Sequence, residues 1–377
     1  MRRSRANLRP VLTRKFICGV FALTLLAGSC SKEQEPAKKV VSFPSPSPRP
    51  VFCPLTGTET SRDFDTQTPA LGVKIENSVP ARPQAGLSSA DIVYEELAEG
   101  GITRFLAIFH CAANSNLGPV RSARTVDPDI LLEYAPVLFA YSGANPIVLS
   151  KVQSTKGVID LRHGANGGAY HREKGRSAPH DLFTSIAEIR ALKLASETRG
   201  GPTSSFPFGL TVTPTPSPPA GAGSSKSPAG KNSPSPSPSP AILPPGASVT
   251  FSYSSGANAV KYVYDAAAGG YLRFHGETPH KSVTGEQIRT VNVLVLKVRV
   301  TQGKIRDAAG NFSPEITVTG TGEATVLRGG VSVVGSWKRE DLKGRTTILD
   351  AAGKPISLLP GNIWIHLVPE GQTVSVL

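Results

Sequence analysis

The sequence is poor in the residues and motifs that mark common enzyme classes. It contains four cysteines, one methionine and two tryptophans in 377 residues, and only 18% of its residues are charged. No G-x-S-x-G, H-E-x-x-H or C-x-x-C motif occurs, and no G-x-G-x-x-G follows a predicted strand. These absences exclude the usual serine-hydrolase, zinc-protease, thiol-redox and dinucleotide-binding signatures. We therefore predict neither a metal nor a cofactor, and we lean towards a protein that is not an enzyme.

The net charge of +13 resembles that of a nucleic-acid-binding protein until the charge is divided by region. Residues 1–29 carry six Arg or Lys and no acid. Residues 51–202 carry 15 bases against 16 acids, and residues 247–377 carry 14 against 10. Neither region is a basic domain, so no nucleic-acid partner is expected.

The sequence also lacks an apolar run long enough to span a membrane, and the apolar run that comes nearest lies close to the N-terminus. Six basic residues in 2–15 precede an apolar run of twelve residues, 16–27, which is too short to span a bilayer and fits a signal peptide over 1–29. The run ends in Leu-Ala-Gly-Ser-Cys, which resembles a bacterial lipobox. That resemblance implies cleavage before Cys30 and acylation of its thiol; the alternative is an ordinary secretory signal. We expect a protein anchored by lipid on the extracytoplasmic face of the cell membrane.

The other cysteines are interpreted in that oxidising setting. Cys18 would leave with the signal peptide and Cys30 would carry the lipid, so Cys53 and Cys111 remain. They form either a disulfide or two buried thiols, and an extracytoplasmic location favours the disulfide.

Composition divides the rest of the chain. Residues 30–50 are polar and rich in proline and predict a flexible tether. Residues 203–246 contain a Ser-Pro repeat and predict a disordered linker, because they cannot bury enough apolar surface to offset the entropy of ordering. Two folded regions remain, 51–202 and 247–377.

Apolar periodicity predicts an α+β protein. In 51–202 it predicts strands at 71–77 and 137–141, a hairpin of 91–99 with 102–110, and helices at 127–134, 146–153 and 184–194. In 247–377 it predicts mainly strands joined by glycine-rich turns. We expect a mixed α/β N-terminal domain and a mainly antiparallel β C-terminal domain.

Three arginines suit anion recognition. Gly118 and Pro119 predict a tight turn that leads to Arg121 and Arg124, whose planar guanidinium groups match a carboxylate or phosphate. Arg104 could join them from a neighbouring strand, with glutamates orienting the three groups. The alternative is an internal Arg–Glu network that holds the hairpin to the helix.

A second constellation lies in residues 162–180, which hold four Arg or Lys, three histidines and one acid. The spacings between His163, His171 and His180 match no known metal pattern. The segment is either a solvated loop or an anion-binding or substrate-binding loop, and His180 is its candidate ligand residue.

Several segments resemble the YerB-like bacterial lipoproteins, a family named for a domain of unknown function (number 3048). In the N-terminal half they are 54–57, 81–87 with 90–95, 99–109, 118–124 and 178–185; in the C-terminal half they are 284–287, 291–293, 335–338 and 361–364. The resemblance covers both folded regions. It implies a membrane-anchored lipoprotein with an N-terminal and a C-terminal half, and it implies no reaction.

Two functions from different classes follow. The favoured one is a lipoprotein that binds an anionic cell-wall polymer or an envelope protein, through Arg104, Arg121, Arg124 and His180. The alternative is a cell-envelope hydrolase or transferase, in which a glutamate acts as acid or base with assistance from His180. The candidate glutamates are Glu95, Glu96 and Glu99.

Overall fold

The computed structural model describes residues 50–209, 247–254, 259–307 and 310–377. The predicted signal peptide, Cys30, the tether up to residue 49 and residues 210–246 of the predicted linker lie outside the described residues. None of the helices in these four described ranges is long and apolar enough to cross a membrane.

Strands are far more extensive than helices in the described residues. The strands of the N-terminal half are β1 (Val51–Phe52), β2 (Glu59–Thr60), β3 (Ala70–Glu76), β4 (Ile92–Leu97), β5 (Thr103–Phe109), β6 (Asn116–Leu117), β7 (Val137–Ala140), β8 (Val158–Asp160), β9 (His171–Arg172) and β10 (Leu182–Ser185). The strands of the C-terminal half are β11 (Ser248–Phe251), β12 (Val260–Asp265), β13 (Gly270–His275), β14 (Thr278–Pro279), β15 (Arg289–Thr290), β16 (Asn292–Val298), β17 (Val300–Arg306), β18 (Phe312–Ile316), β19 (Gly320–Arg328), β20 (Val331–Arg339), β21 (Thr347–Leu349), β22 (Ile363–Pro369) and β23 (Val374–Val376).

The described helices are short and belong to the N-terminal half. They are α1 (Asp127–Leu131), α2 (Pro146–Ser154), α3 (Ile186–Arg190) and α4 (Lys193–Glu197), with single 3₁₀ turns at Val79–Ala81, Leu87–Ser89, Glu99–Gly101, Leu132–Tyr134 and Gly167–Ala169. Local sequence explains two of the starts. The Asn145 side chain accepts a hydrogen bond from the main-chain N–H of Ile147 at the start of α2, and Ser185 caps α3 in the same way.

The largest sheet has ten strands and runs through both halves of the chain. Its order is β21-β20-β19-β16-β22-β4-β5-β3-β7-β8. The late strand β22 lies parallel to β4 on one side and to β16 on the other, which joins the C-terminal half to the N-terminal half by main-chain hydrogen bonds. Every residue of β3 and β5 is buried, as expected for central strands covered on both faces.

A six-stranded antiparallel sheet from the C-terminal half covers part of one face of the large sheet, and α3 and α4 pack on the same face. The order of the six-stranded sheet is β14-β13-β12-β11-β23, and β15 also pairs with β13. The mixed N-terminal half and the mainly antiparallel C-terminal half confirm the predicted fold class.

Two hydrophobic clusters fill the core, one on each face of the large sheet. On the sheet-covered face, Phe105 and Trp364 pack with Tyr262 of the six-stranded sheet. On the helix-covered face, Leu106 packs with Leu131 of α1. Because successive strand residues point to opposite faces, adjacent polar residues of one strand enter different environments.

Candidate functional site

The β4–β5 hairpin carries the predicted glutamates and Arg104. Its turn contains Gly100 and Gly101 at φ values of 67° and 74°, a left-handed conformation that favours glycine. The pairing register places Arg104 directly opposite Glu96 on one side and opposite Glu76 of β3 on the other. These three side chains therefore share the helix-covered face.

Arg121 and His180 both contact Glu76. The Nε atom of Arg121 lies 3.2 Å from Glu76 Oε2, and Nδ1 of His180 lies 2.9 Å from the same oxygen. Ser78 donates a hydrogen bond to the other carboxylate oxygen at 2.8 Å. The side chains of Arg121 and His180 are about a quarter exposed, whereas Glu76 is buried. One buried carboxylate thus holds a guanidinium and an imidazole at the surface.

Arg104 and Arg124 converge on Glu99. Arg124 donates to Glu99 Oε2 through Nε, at 2.8 Å, and through Nη2, and Nη2 of Arg104 lies 3.7 Å from that oxygen. Ser313 of β18 donates to the other oxygen. Burial alone would raise the pKa of Glu99, but the Arg124 charge and the Ser313 hydrogen bond outweigh it and lower the pKa. The structure therefore brings the three predicted arginines together, each paired with a glutamate.

Glu96 lies in the interior of the protein, on the same face of the large sheet as Arg104. Its carboxylate contacts Lys74 Nζ, which is also 2.7 Å from Asp127 of α1, and all three side chains are fully buried. Burial and the nearby negative charge of Asp127 raise the pKa of Glu96 to about 7, against the opposing effect of Lys74. Glu96 is thus an internal charge partner of Lys74, and the carboxylate that contacts His180 is that of Glu76.

Glu95 points to the opposite, sheet-covered face. Its Oε2 lies 2.7 Å from Arg273 Nη2 and 3.3 Å from His366 Nδ1, and the hydroxyls of Tyr253 and Tyr262 lie 2.9 and 3.0 Å from the two nitrogens of His366. Burial alone would raise the pKa of Glu95; Arg273 and His366 outweigh it and hold the pKa well below its usual range. This cluster joins β4 to β13 and β22.

The sequence analysis did not single out Arg273 or His366. A usable signal exists for both, since each is the one strongly polar residue in an otherwise apolar strand segment, Tyr-Leu-Arg-Phe and Trp-Ile-His-Leu. A charged residue in a buried strand needs a partner. Nothing local in the sequence says which residue that partner is.

A surface cleft of about 450 Å³ lies at His180, and we call it the cationic cleft. Its lining residues are Pro80, Arg82, Gly175, Arg176, Ser177 and His180. Arg82 donates to the carbonyl of Asn77 at 2.9 Å, and Arg176 donates to the carbonyl of Ala81 at 3.0 Å. Neither guanidinium is within 4.0 Å of a carboxylate among the described residues. Two arginines held by main-chain carbonyls thus border a cleft without an acid in its lining.

The three histidines of the 162–180 segment do not meet. His163 packs edge-on against Tyr170, and His171 lies 3.6 Å from Glu188. Across the described ranges, no group of three or more His, Cys, Asp or Glu side chains is placed to hold a metal ion.

Cys53 and Cys111 are joined by a disulfide, with their Cα atoms 6.0 Å apart. Next to this bridge, Asp91 accepts main-chain hydrogen bonds from His110 and Cys111. Burial raises the pKa of Asp91 to about 6, more than these hydrogen bonds lower it. The bridge ties the end of β5 to the segment that follows β1.

The comparisons with known proteins agree on one family. Residues 55–200 match "Protein of unknown function (DUF3048) N-terminal domain" and residues 249–365 match the C-terminal domain of the same name, so the two matches span well over half of the chain. The chain is 27% identical over 366 residues to a Bacillus subtilis (strain 168) protein named "Putative lipoprotein YerB", covering 96% of each sequence. The crystal structure of YerB from Bacillus subtilis superposes with a TM-score of 0.68 at 25% identity, covering 86% of this chain and 99% of that one. The chain therefore belongs to the YerB-like family, whose two domains of unknown function (DUF3048) it carries in order.

Proposed function

We propose that this protein is an extracytoplasmic lipoprotein, anchored in the cell membrane through Cys30, that binds an anionic group of a cell-wall component in the cationic cleft. The binding group would be a phosphate or a carboxylate. Arg82, Arg176 and His180 would contact it directly.

The observation that carries this proposal is the difference between two sets of arginines. Arg121 lies beside the carboxylate of Glu76, and Arg104 and Arg124 share that of Glu99, so each of these guanidinium groups already has an anionic partner within the protein. Arg82 and Arg176 donate to neutral oxygens and line a cleft without acidic residues. A guanidinium in that situation retains its charge for an external anion, which it can hold through paired N–H donors.

The predicted site residues then take two kinds of role. His180 lines the cleft, and Glu76 fixes it through Nδ1 while Arg121 balances the charge of Glu76. Arg104 and Arg124 hold Glu99 and the β4–β5 turn, and they support the arrangement without lining the cleft. We therefore assign Arg104 and Arg124 a role in positioning the β4–β5 turn and not in contacting the ligand.

The anchor is supported by the lipobox-like sequence that ends at Cys30 and by the name of the Bacillus subtilis relative. Nineteen residues, 31–49, lie between Cys30 and the first described residue, Pro50. Fully extended, they would reach at most about 70 Å. The cleft would then operate close to the membrane, where cell-wall polymers are available.

The hydrolase or transferase alternative has less support. It requires a glutamate from the hairpin beside His180, but Glu95, Glu96 and Glu99 are each paired with a cation elsewhere. The carboxylate that contacts His180 is Glu76, which is itself ion-paired with Arg121.

Titration calorimetry on a Cys30→Ser chain, with inorganic phosphate and with a soluble muropeptide as probes, tests the proposal. We expect wild-type binding of at least one probe, weakened by Arg176→Ala by about tenfold to a hundredfold, the effect of a lost charged hydrogen bond. Arg289→Ala is the matched control, because Arg289 also donates to a main-chain carbonyl and does not line this cleft. If neither probe binds, or if both variants bind equally, the cationic cleft is not an anion site.

A further inference from the structure

A second cleft, of about 640 Å³, adjoins the cationic cleft. Arg82 lines both, so the two clefts meet at one side chain. The volume falls in the range of sites for small organic ligands. The other lining residues are Val79, Pro83, His275, Thr278, Pro279, His280, Lys281, Ser282, Val283 and Gly285.

Aliphatic side chains form the walls of this second cleft, which we call the aliphatic cleft. Val79 and Val283 are 74% and 49% exposed, an unusual state for two valines that line the same cleft. Pro83 and Pro279 add further apolar surface. No acidic residue and no Phe, Tyr or Trp is among the lining residues, and the aromatic rings in the lining are the imidazoles of His275 and His280.

The floor of the aliphatic cleft contains two histidines that stay uncharged at neutral pH. His275 and His280 lie with their ring centres 4.3 Å apart, and Arg273 Nη1 is 2.6 Å from His280 Nδ1. Burial, and then the charge of Arg273, lower the pKa of His275 to about 2 and that of His280 well below its usual value. The imidazoles therefore present an uncharged floor, and the cationic lining residues are Arg82 and Lys281.

We propose that the two clefts together bind one amphiphilic anion, whose phosphate or carboxylate occupies the cationic cleft and whose aliphatic chain occupies the aliphatic cleft. This inference rests on the proposed function, which supplies the anion site. Because Arg82 lines both clefts, the anionic group and the aliphatic chain of one ligand would both contact the protein. The predicted anchor would keep both clefts within reach of a lipid surface, where such molecules are found.

The test measures the binding of inorganic phosphate and of octyl phosphate to the Cys30→Ser protein. Octyl phosphate differs from inorganic phosphate only by its aliphatic octyl group. We expect octyl phosphate to bind about tenfold tighter or more, because burial of about two methylene groups accounts for that factor. The double variant Val79→Asn/Val283→Asn should abolish the difference and leave the affinity for inorganic phosphate within about twofold. Both changes are at exposed positions, so folding should be retained. Val334→Asn, at a valine that is 61% exposed and lines neither cleft, is the matched control.

The outcomes separate this inference from the proposed function. Phosphate binding that depends on Arg176 with no gain from the octyl chain would refute the joint site and leave the anion site intact. Absence of any binding that depends on Arg176 would refute both. Octanol binding as tightly as octyl phosphate would also refute a joint site. Monomeric octyl phosphate tests a soluble ligand, and phosphatidic acid in phosphatidylcholine vesicles tests a membrane lipid. Weaker binding of either one by the double valine variant than by the wild type supports the inference.

Discussion

Replacement of Arg273 by Met should expose how strongly the buried Glu95 cluster holds the two halves of the chain together. The two side chains are 0% and 1% exposed, their closest atoms are 2.7 Å apart, and they belong to β13 and β4. Arg273→Met removes the cation and leaves the Glu95 carboxylate buried. Breaking a buried pair in this way typically costs about 3–5 kcal/mol.

The remaining contacts of Glu95 place the expected cost near the lower end of that range. Its Oε1 still accepts hydrogen bonds from Thr103 Oγ1 at 2.7 Å and from Asn77 Nδ2 at 3.1 Å, and His366 Nδ1 stays 3.3 Å from its Oε2. We expect Arg273→Met to lower the free energy of unfolding by about 3 kcal/mol at pH 7. The double variant Glu95→Gln/Arg273→Met buries no charge at this place, so it should lose clearly less than Arg273→Met alone.

The pH dependence gives the prediction a second test. In the wild type, the pKa of Glu95 is lower in the folded protein than in the unfolded chain. The ionised carboxylate therefore stabilises the fold at pH values above its pKa in the unfolded chain. This stability is lost as the pH falls through its pKa in the folded protein. Without Arg273, burial is opposed only by His366, 3.3 Å away, and by the hydrogen bonds to Glu95, so we expect the pKa of Glu95 to rise. The variant should then be least stable at neutral pH and should approach the wild type as the pH falls to about 4, near the unfolded pKa of a glutamate. Urea unfolding at several pH values measures both effects. The dependence of the unfolding free energy on urea concentration should be the same for the variant and the wild type, which shows that the two unfold by the same transition. A loss below about 1 kcal/mol at pH 7 would contradict the reasoning.

Four further predictions concern other parts of the chain. Because burial raises the pKa of Asp91 to about 6, its contribution to stability should be complete below about pH 4 and fall by roughly 3 kcal/mol as the pH rises through 6; Asp91→Asn should flatten this trend in thermal melts. Cys53→Ser should cost about 4 kcal/mol in urea unfolding, as expected for a loop of 58 residues, and reduction of the wild type should cost the same. Protease should cut first within the predicted linker 203–246, beyond its packed start at Phe206, and the fragments should co-elute on gel filtration because β22 pairs with β4; separate elution would overturn this. Cys30→Ala should leave the protein without lipid, whereas an unmodified Cys30 in the mature wild type, detected by mass spectrometry, would argue against the anchor.

Local patterns in the sequence predicted much of the secondary structure. The hairpin of β4 and β5 follows from two apolar segments separated by Gly100 and Gly101, and the helix predicted at 146–153 is α2. These features depend on residues that are close in the chain. The predicted helix over 184–194 appears as the two shorter helices α3 and α4.

Tertiary structure alone decided which charges are neutralised and which remain available. The sequence offered Glu95 and Glu96 as equivalent candidates, but the strand sends them to opposite faces, where Arg273, 178 residues away, and Lys74 pair with them. Arg82 and Arg176 look no different in sequence from the paired arginines, and only the fold places them on a cleft without a carboxylate partner. The physical reason is that a buried charge is compensated across the register of distant strands, and residue types and spacing within one segment do not determine that register.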